Sequence, residues 1–257
     1  MVFMAGFPDN ETSGWGSALP EELEKKYRCI FMCLPGYSQV YHISQDRPWG
    51  YDQEEILTMI DATFNFLGLK EHPFHMIAHD WGAFYALLYT TRHPTAVSRL
   101  ILCDVGMVDP FSLPILTIPY IIFYQLYFTV AYIISQVISM SLGNLIFWWC
   151  KAYFQFMMPT PHDRFHIPES EISVRKCYPY YYLWRRLLTG SMLKVRFPTC
   201  PLLFMYGTKK RCMFHDQRFL DRIDATPGCK RFALQSGHWF MIDEAEATLK
   251  LVTDFLE

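Results

Sequence analysis

Short apolar blocks recur along the chain, each closed by turn-forming or polar residues. Val2–Ala5 breaks at Gly6-Phe7-Pro8-Asp9, and Tyr27–Leu34 breaks at Pro35-Gly36. Phe74–Ala78 runs into His79-Asp80-Trp81-Gly82, and Arg99–Cys103 ends at Asp104. Pro201–Tyr206 ends at Gly207, and Lys230–Leu234 ends shortly before Gly237-His238. Apolar runs of this length, bounded in this way, predict strands buried on both faces, the pattern of a parallel sheet. Helical spacing lies between them. Asp52 and Glu55 have the spacing of a capping box, Ile56, Ile60, Phe64 and Leu67 mark one apolar face, and Gly68 is placed to stop that helix. A second helix is predicted from Gly82 to about Arg92, stopped by His93-Pro94. A third is predicted from Asp243 to Leu256, with Leu249, Val252 and Leu256 facing in. Strands alternating with helices predict an α/β fold: a mainly parallel sheet flanked by helices.

The alternation is interrupted from about Met107 to Gly190. Pro110 to Cys150 contains no charged residue. The stretch is too long for a crossover and reads as an inserted, mainly helical cap. The expected division is a core over 1–106, a cap or lid over 107–189, and the rest of the core over 190–257. Leu113–Ser139 reaches the length of about 20 apolar residues that spans a bilayer. A true span would put two halves of one sheet on opposite sides of a membrane. A helical hairpin, Leu113–Ser139 and Leu145–Met158, therefore either packs on the core around an apolar substrate tunnel, the favoured arrangement, or dips into one leaflet. Both imply a hydrophobic substrate, with lipid-derived compounds in range.

Composition narrows the function classes. The chain has 257 residues, 51% hydrophobic, 17% aromatic and 19% charged, with a formal net charge of −2. That excludes a disordered chain and a nucleic-acid binder working by phosphate neutralisation. The eight cysteines form no paired framework, and Cys29 and Cys33 read as buried free thiols. The N-terminal MVFMAGFPDNE has no basic region and only a very short apolar stretch, which argues against a signal peptide. The expectation is an intracellular protein, cytoplasmic or membrane-associated, with oligomeric state open.

The sharpest local feature is Ala78-His79-Asp80-Trp81-Gly82, small-x-nucleophile-x-small between a strand and a helix. Such a turn is strained, and small flanking residues let the central side chain protrude above the sheet. The central residue is Asp. A carboxylate there suits attack on saturated carbon, because the resulting ester can be hydrolysed. His238 follows the last strand, and the chain order nucleophile then His is that of α/β-hydrolases. An acid is needed to orient it. The loop after Gly207 reads Thr208-Lys209-Lys210-Arg211 and holds none. Asp104, at the end of the strand that follows the elbow helix, is the leading acid and Asp216 the second. His72, His75 and His79 look ligand-like by count, but two of them fall on a strand and a turn with no second ligand group after them. No metal or cofactor is expected.

With these residues in view, the chain resembles α/β-hydrolases of the epoxide hydrolase and haloalkane dehalogenase group. The segments that carry the likeness are GFPDNETSGW (6–15), LPGYS (34–38), HDWGA (79–83), ILCD (101–104), FYQLYF (123–128) and GHWFMIDEAEA (237–247). The resemblance implies Asp80 as nucleophile, His238 as base, and the backbone N–H groups of Phe7 and Trp81 as oxyanion donors. An acid at the place of Asp104 matches many dehalogenases, yet their halide-binding Asn corresponds to Phe7 here. Two cap tyrosines of epoxide hydrolases would correspond to Tyr124 and, with Trp184 standing where Tyr is expected, to Tyr182. The family's His before the oxyanion-loop Gly is Ala5, and the first strand predicted here corresponds to the family's third, so the expectation is a sheet without the family's N-terminal β-hairpin.

The resemblance therefore implies a two-step epoxide hydrolase: a hydroxyalkyl ester on Asp80, then hydrolysis through His238 oriented by Asp104. The alternatives are a dehalogenase-like hydrolase using the same ester and a catalytically inactive, membrane-associated scaffold. Expected partners are a hydrophobic small molecule, no nucleic acid, and a membrane surface or one leaflet through the cap.

Overall fold

In the computed structural model residues 1–38, 47–109, 117–149 and 172–257 are described. Six strands form one sheet: β1 (Val2–Met4), β2 (Ile30–Met32), β3 (Phe74–His79), β4 (Val97–Cys103), β5 (Leu202–Gly207) and β6 (Lys230–Leu234). Their order is β2-β1-β3-β4-β5-β6, and every neighbouring pair is parallel. Side-chain alternation divides the core between the two sheet faces. Val2, Met4, Met76, Ala78, Leu100, Leu102 and Phe204 join one cluster, while Phe3, Ile77, Ile101, Leu203 and Met205 join the other. Burial on both faces holds for β1 and β5 and for most of β3 and β4. It fails at β2 and β6, which are partly exposed because they are the two edges.

The helices are α1 (Ala18–Glu24), α2 (Gln53–Phe66), α3 (Trp81–Arg92), α4 (Ile118–Val137), α5 (Met140–Trp149), α6 (Tyr178–Leu188), α7 (Gln217–Asp224), α8 (Phe240–Asp243) and α9 (Ala245–Leu256). The capping box of α2 is formed: Glu54 N–H donates to Asp52 Oδ1 at 3.0 Å and Asp52 N–H to Glu55 Oε2 at 2.9 Å. Gly68 follows at φ 71°, a left-handed conformation glycine adopts without strain. The C-terminal helix starts two residues later than its pattern predicts, because Phe240–Asp243 forms a separate turn of helix. Val252 is buried there, whereas Leu249 and Leu256 are half-buried and Thr248 and Phe255 fill the other inward positions.

Between β4 and β5 the regular structure that is described is all helical. The first expected hairpin helix is observed as Ile118–Val137, its residues 113–116 lying outside the described residues. The second begins earlier than expected, at Met140, and its part beyond residue 149 lies outside them too. The two helices pack closely: a Cβ on Gly143 would lie 2.3 Å from Ser135 Cβ. Buried Tyr124, Phe128, Ala131 and Tyr132 face inward from α4. Among the described residues α4 is the one helix long and apolar enough to cross a membrane by length and composition.

In-register pairing of His79 with Cys103 and of Cys103 with Met205 sets the C-terminal ends of β3 and β4 level, with β5 running two residues further. Whatever follows those strands therefore meets along one edge of the sheet.

Candidate active site

Asp80 is the residue after β3 and precedes the first residue of α3. Its backbone stands at φ 53° and ψ −126°, a conformation that costs an L-residue of order 1–3 kcal/mol. Two glycines make the bend possible. A Cβ on Gly82 would lie 2.1 Å from the Met4 carbonyl oxygen, and a Cβ on Gly6 would lie 2.4 Å from Trp81 N and 2.5 Å from Asp80 Oδ1. The loop after β1 can thus press against the elbow, where Phe7 N–H donates to Asp80 Oδ1 at 2.6 Å. The Trp81 N–H opens α3, one of the first-turn donors that a helix leaves without an internal partner.

The other carboxylate oxygen, Asp80 Oδ2, lies 3.3 Å from His238 Nε2. The opposite ring nitrogen, His238 Nδ1, is hydrogen-bonded to Asp104 Oδ2. Asp104 follows β4 at φ 70° and is fully buried. Its second oxygen, Oδ1, accepts from Gly207 N–H at 3.0 Å and pairs with the ammonium of Lys210 at 3.1 Å. Asp216 is engaged in other contacts. Its oxygens accept from Phe219 N–H at 2.7 Å and Asp109 N–H at 2.6 Å, so it caps α7. The structure thus brings together Asp80, His238, Asp104 and Phe7.

Electrostatics follow from these contacts. Burial alone would raise the Asp104 carboxyl, but the Lys210 charge and then His238 hold it well below the ordinary carboxylate range. Burial alone would make His238 less basic. The charge and hydrogen bond of Asp104, with Asp80 in support, outweigh it and raise His238 to about 9.

A second layer fixes the loops. His79 Nε2–H donates to the His238 carbonyl at 3.1 Å, and the two rings lie 4.4 Å apart. Buried Asp9 accepts from the Trp239 indole at 2.8 Å and from Ser13 Oγ at 3.0 Å, and lies 3.7 Å from His79 Nδ1. His79 therefore ties the end of β3 to the His238 loop. Among the described residues no three His, Cys, Asp or Glu side chains are grouped to hold a metal.

Aromatic rings line the approach. Tyr180 lies 5.1 Å from the Trp81 ring, 5.6 Å from Phe7 and 6.0 Å from Tyr124. Burial, followed by the charge of Asp80, pushes its hydroxyl well above the usual range, so it keeps its proton at neutral pH. Tyr124 packs on Tyr180, Phe128 and Phe214. Tyr182 lies elsewhere. Its ring meets Tyr181 at 5.0 Å and the Arg185 guanidinium at 5.8 Å, and it feels Glu55 and Asp52 at the start of α2. Two residues along a helix are about 200° apart around its axis, so Tyr180 and Tyr182 face opposite ways. Tyr180 and Lys210 escape a reading of spacing alone. The phase of α6 would have exposed the first, and nothing in Lys209-Lys210-Arg211 distinguishes the second.

Comparison with known proteins comes to the same fold. A family model described as the Alpha/beta hydrolase family matches residues 1–251. Epoxide hydrolase 3 of Mus musculus is 24% identical over 225 residues, covering 81% of this chain and 56% of the mouse protein, so the chain spans little more than half of that relative. A mutant epoxide hydrolase from Bacillus megaterium, solved with its product (R)-3-[1]naphthyloxy-propane-1,2-diol, superposes with a TM-score of 0.68 at 16% identity, covering 100% of this chain and 92% of that one. A thermophilic esterase from Thermogutta terrifontis, solved with malate, gives 0.66 at 16% identity, covering 99% and 88%. The shared fold serves both an esterase and an epoxide hydrolase, so the reaction must be argued from the site.

Proposed function

The chain belongs to the alpha/beta hydrolase family, and on that premise we propose that it is a hydrolase opening hydrophobic epoxides to diols through an ester on Asp80. The observation that carries the reading is the disposition of the Asp80 carboxylate: Oδ1 held by the Phe7 amide, Oδ2 beside His238 Nε2. Oδ2 attacks the less hindered epoxide carbon, and the carbon–oxygen bond of the ring breaks. The ring oxygen takes the proton of a tyrosine hydroxyl from Tyr180 or Tyr124. Oδ1 becomes the ester carbonyl oxygen, already seated on the Phe7 amide, with the Trp81 amide as second donor when charge develops there. Water then gives a proton to His238 Nε2 and adds to the ester carbon. Collapse of the tetrahedral species expels the diol, whose new hydroxyl takes the proton back from His238. The proton released from Asp80 returns to the tyrosinate.

Ester formation also prepares the base. Asp80 is one of the groups raising His238, and esterification removes its charge. The imidazole becomes less basic when it must be neutral to accept a proton from water.

A single turnover in 18O-water, run with a panel of epoxides and haloalkanes, tests the reading. The expected outcome is diol from an epoxide with the label in the Asp80 carboxylate and none in the diol. Label in the diol, or turnover of haloalkanes alone, overturns it.

For a partner, we propose contact with one lipid leaflet through the outward face of α4 and α5. Supporting it, residues 118–149 carry no charge, and Phe123, Leu126, Val130, Val137, Leu145 and Trp149 are all exposed. A crossing helix does not fit, because the inner face of α4 carries Tyr124 and Phe128 against the site. The protein is expected to float with phosphatidylcholine vesicles in a density gradient, and a Leu126→Glu/Val130→Glu variant to remain below. Wild-type protein that stays in the lipid-free fraction removes the proposal.

A further inference from the structure

A lysine is among the residues least often found fully buried, because an ammonium loses its hydration without return unless it is paired. Lys210 is such a case. Lys209 and Arg211 on either side are exposed, whereas the Lys210 side chain and that of Asp104 are both inaccessible. The backbone holds this arrangement in place: Thr208 N–H donates to the Leu234 carbonyl at 2.9 Å and Lys209 N–H to the Ser236 carbonyl at 2.8 Å, pinning the loop to the end of β6. The ammonium meets Asp104 Oδ1 at 3.1 Å, Met213 Sδ at 3.4 Å and the face of Phe214 at 5.3 Å. The Phe214 ring in turn lies 5.6 Å from the His238 ring.

We propose that Lys210 is a positioning residue for His238, acting through Asp104. This rests on the reading of His238 as base and Asp104 as its orienting acid. The ammonium and the Gly207 amide occupy one oxygen of Asp104 and turn the other toward His238 Nδ1. The cation also offsets part of the negative charge that the imidazole feels, which holds its basicity below what Asp104 and Asp80 alone would set. Without the cation, Asp104 and Asp80 would keep the imidazole protonated to higher pH.

Other titratable groups face this chain and are accounted for. On β4, Cys103 is raised by burial and then by Asp104. In the loop after β5, Cys212 is raised by burial to about 12. His215 is lowered to about 4 by burial and then by Lys210, with Arg231 of β6 adding to the effect. All three are uncharged near neutrality. On β3, His79 reaches the His238 carbonyl rather than its ring nitrogens. Buried Asp9 stands one ring further out, against His79 and the Trp239 indole, so the charged groups in the direct chain of contacts to the base are Asp80, Asp104 and, through Asp104, Lys210.

The test is the titration of the His238 imidazole by NMR in the substrate-free full chain, with the pH profile of turnover beside it. In Lys210→Met the His238 titration is expected to move up by about one pH unit, the size of one buried charge several ångströms away. The rising limb of the profile should follow, making turnover about tenfold slower below it. Lys210→Gln, which keeps a hydrogen-bond donor and removes the charge, is expected to give the same shift should the Met variant not fold. Lys210→Arg is expected to restore the wild-type titration. Unchanged His238 titration in a folded Met or Gln variant overturns the proposal. The NMR readout needs no substrate, so failure of the epoxide reading shows separately, as absent turnover in a wild type whose His238 titrates as described.

Discussion

Replacing His238 by Gln is expected to stop the reaction halfway and leave the substrate attached to Asp80. The first step needs only the carboxylate, the tyrosine hydroxyls and the Phe7 amide, all of which the variant keeps. The second needs a base at 3.3 Å from Asp80 Oδ2, and glutamine cannot take a proton there. Intact-mass measurement after incubation with a reactive epoxide should show the protein heavier by one epoxide, and peptide mapping should place the addition on Asp80. Steady-state turnover should fall by about 10³–10⁶-fold, the range seen when the base of a nucleophile–His–acid set is removed. Asp80→Asn should show neither turnover nor adduct. A His238→Gln protein that stays unmodified with every epoxide and still folds would refute the ester route.

The second large effect is at Asp104. Asp104→Asn removes the charge that raises His238 and the acceptor that selects its tautomer, so turnover should fall by about 10⁴-fold. It also strands the Lys210 ammonium in a site with no solvent access. Breaking a buried pair from one side costs about 3–5 kcal/mol, and for a chain of this size that lowers the melting temperature by about 10 °C. The double variant Asp104→Asn/Lys210→Met should regain most of that stability and none of the activity. Calorimetry and an epoxide assay on the same three proteins separate the two roles. Equal melting temperatures for wild type and Asp104→Asn would show that the pair is not a structural constraint.

The features legible from the residues are those that local chemistry dictates. Six apolar blocks became six strands, and the Asp52/Glu55 box began its helix where the spacing placed it. The elbow was legible because a strand, a strained turn and a helix N-terminus leave a three-part signature within five residues. Asp104 was legible as a strand-end acid. Short elements were not. Helix α1 buries only Leu19 and Leu23, too few positions to establish a period, and α7 hides its cap in Asp216, which also reads as a chemical acid. The tyrosine pair required helix phase, since matching by shifted position selects Tyr182 while the inward face of α6 carries Tyr180. Lys210 is invisible for a different reason. Its burial depends on the meeting of three strand ends, a tertiary fact with no trace in a run of three basic residues.

Asp80, His238, Asp104, Lys210 and the Phe7 amide all come from segments outside the helices between β4 and β5, which, among the described residues, approach them through the aromatic rings of Tyr180 and Tyr124. The nucleophile, base and orienting acid are therefore inherited on the core segments, while the tyrosine hydroxyls proposed to protonate the ring oxygen travel with the intervening helices. A descendant could exchange the intervening helices for another set, through a graft with junctions just past β4 and just before β5, and would keep its ester chemistry while its new lining set both diet and ring-opening donor.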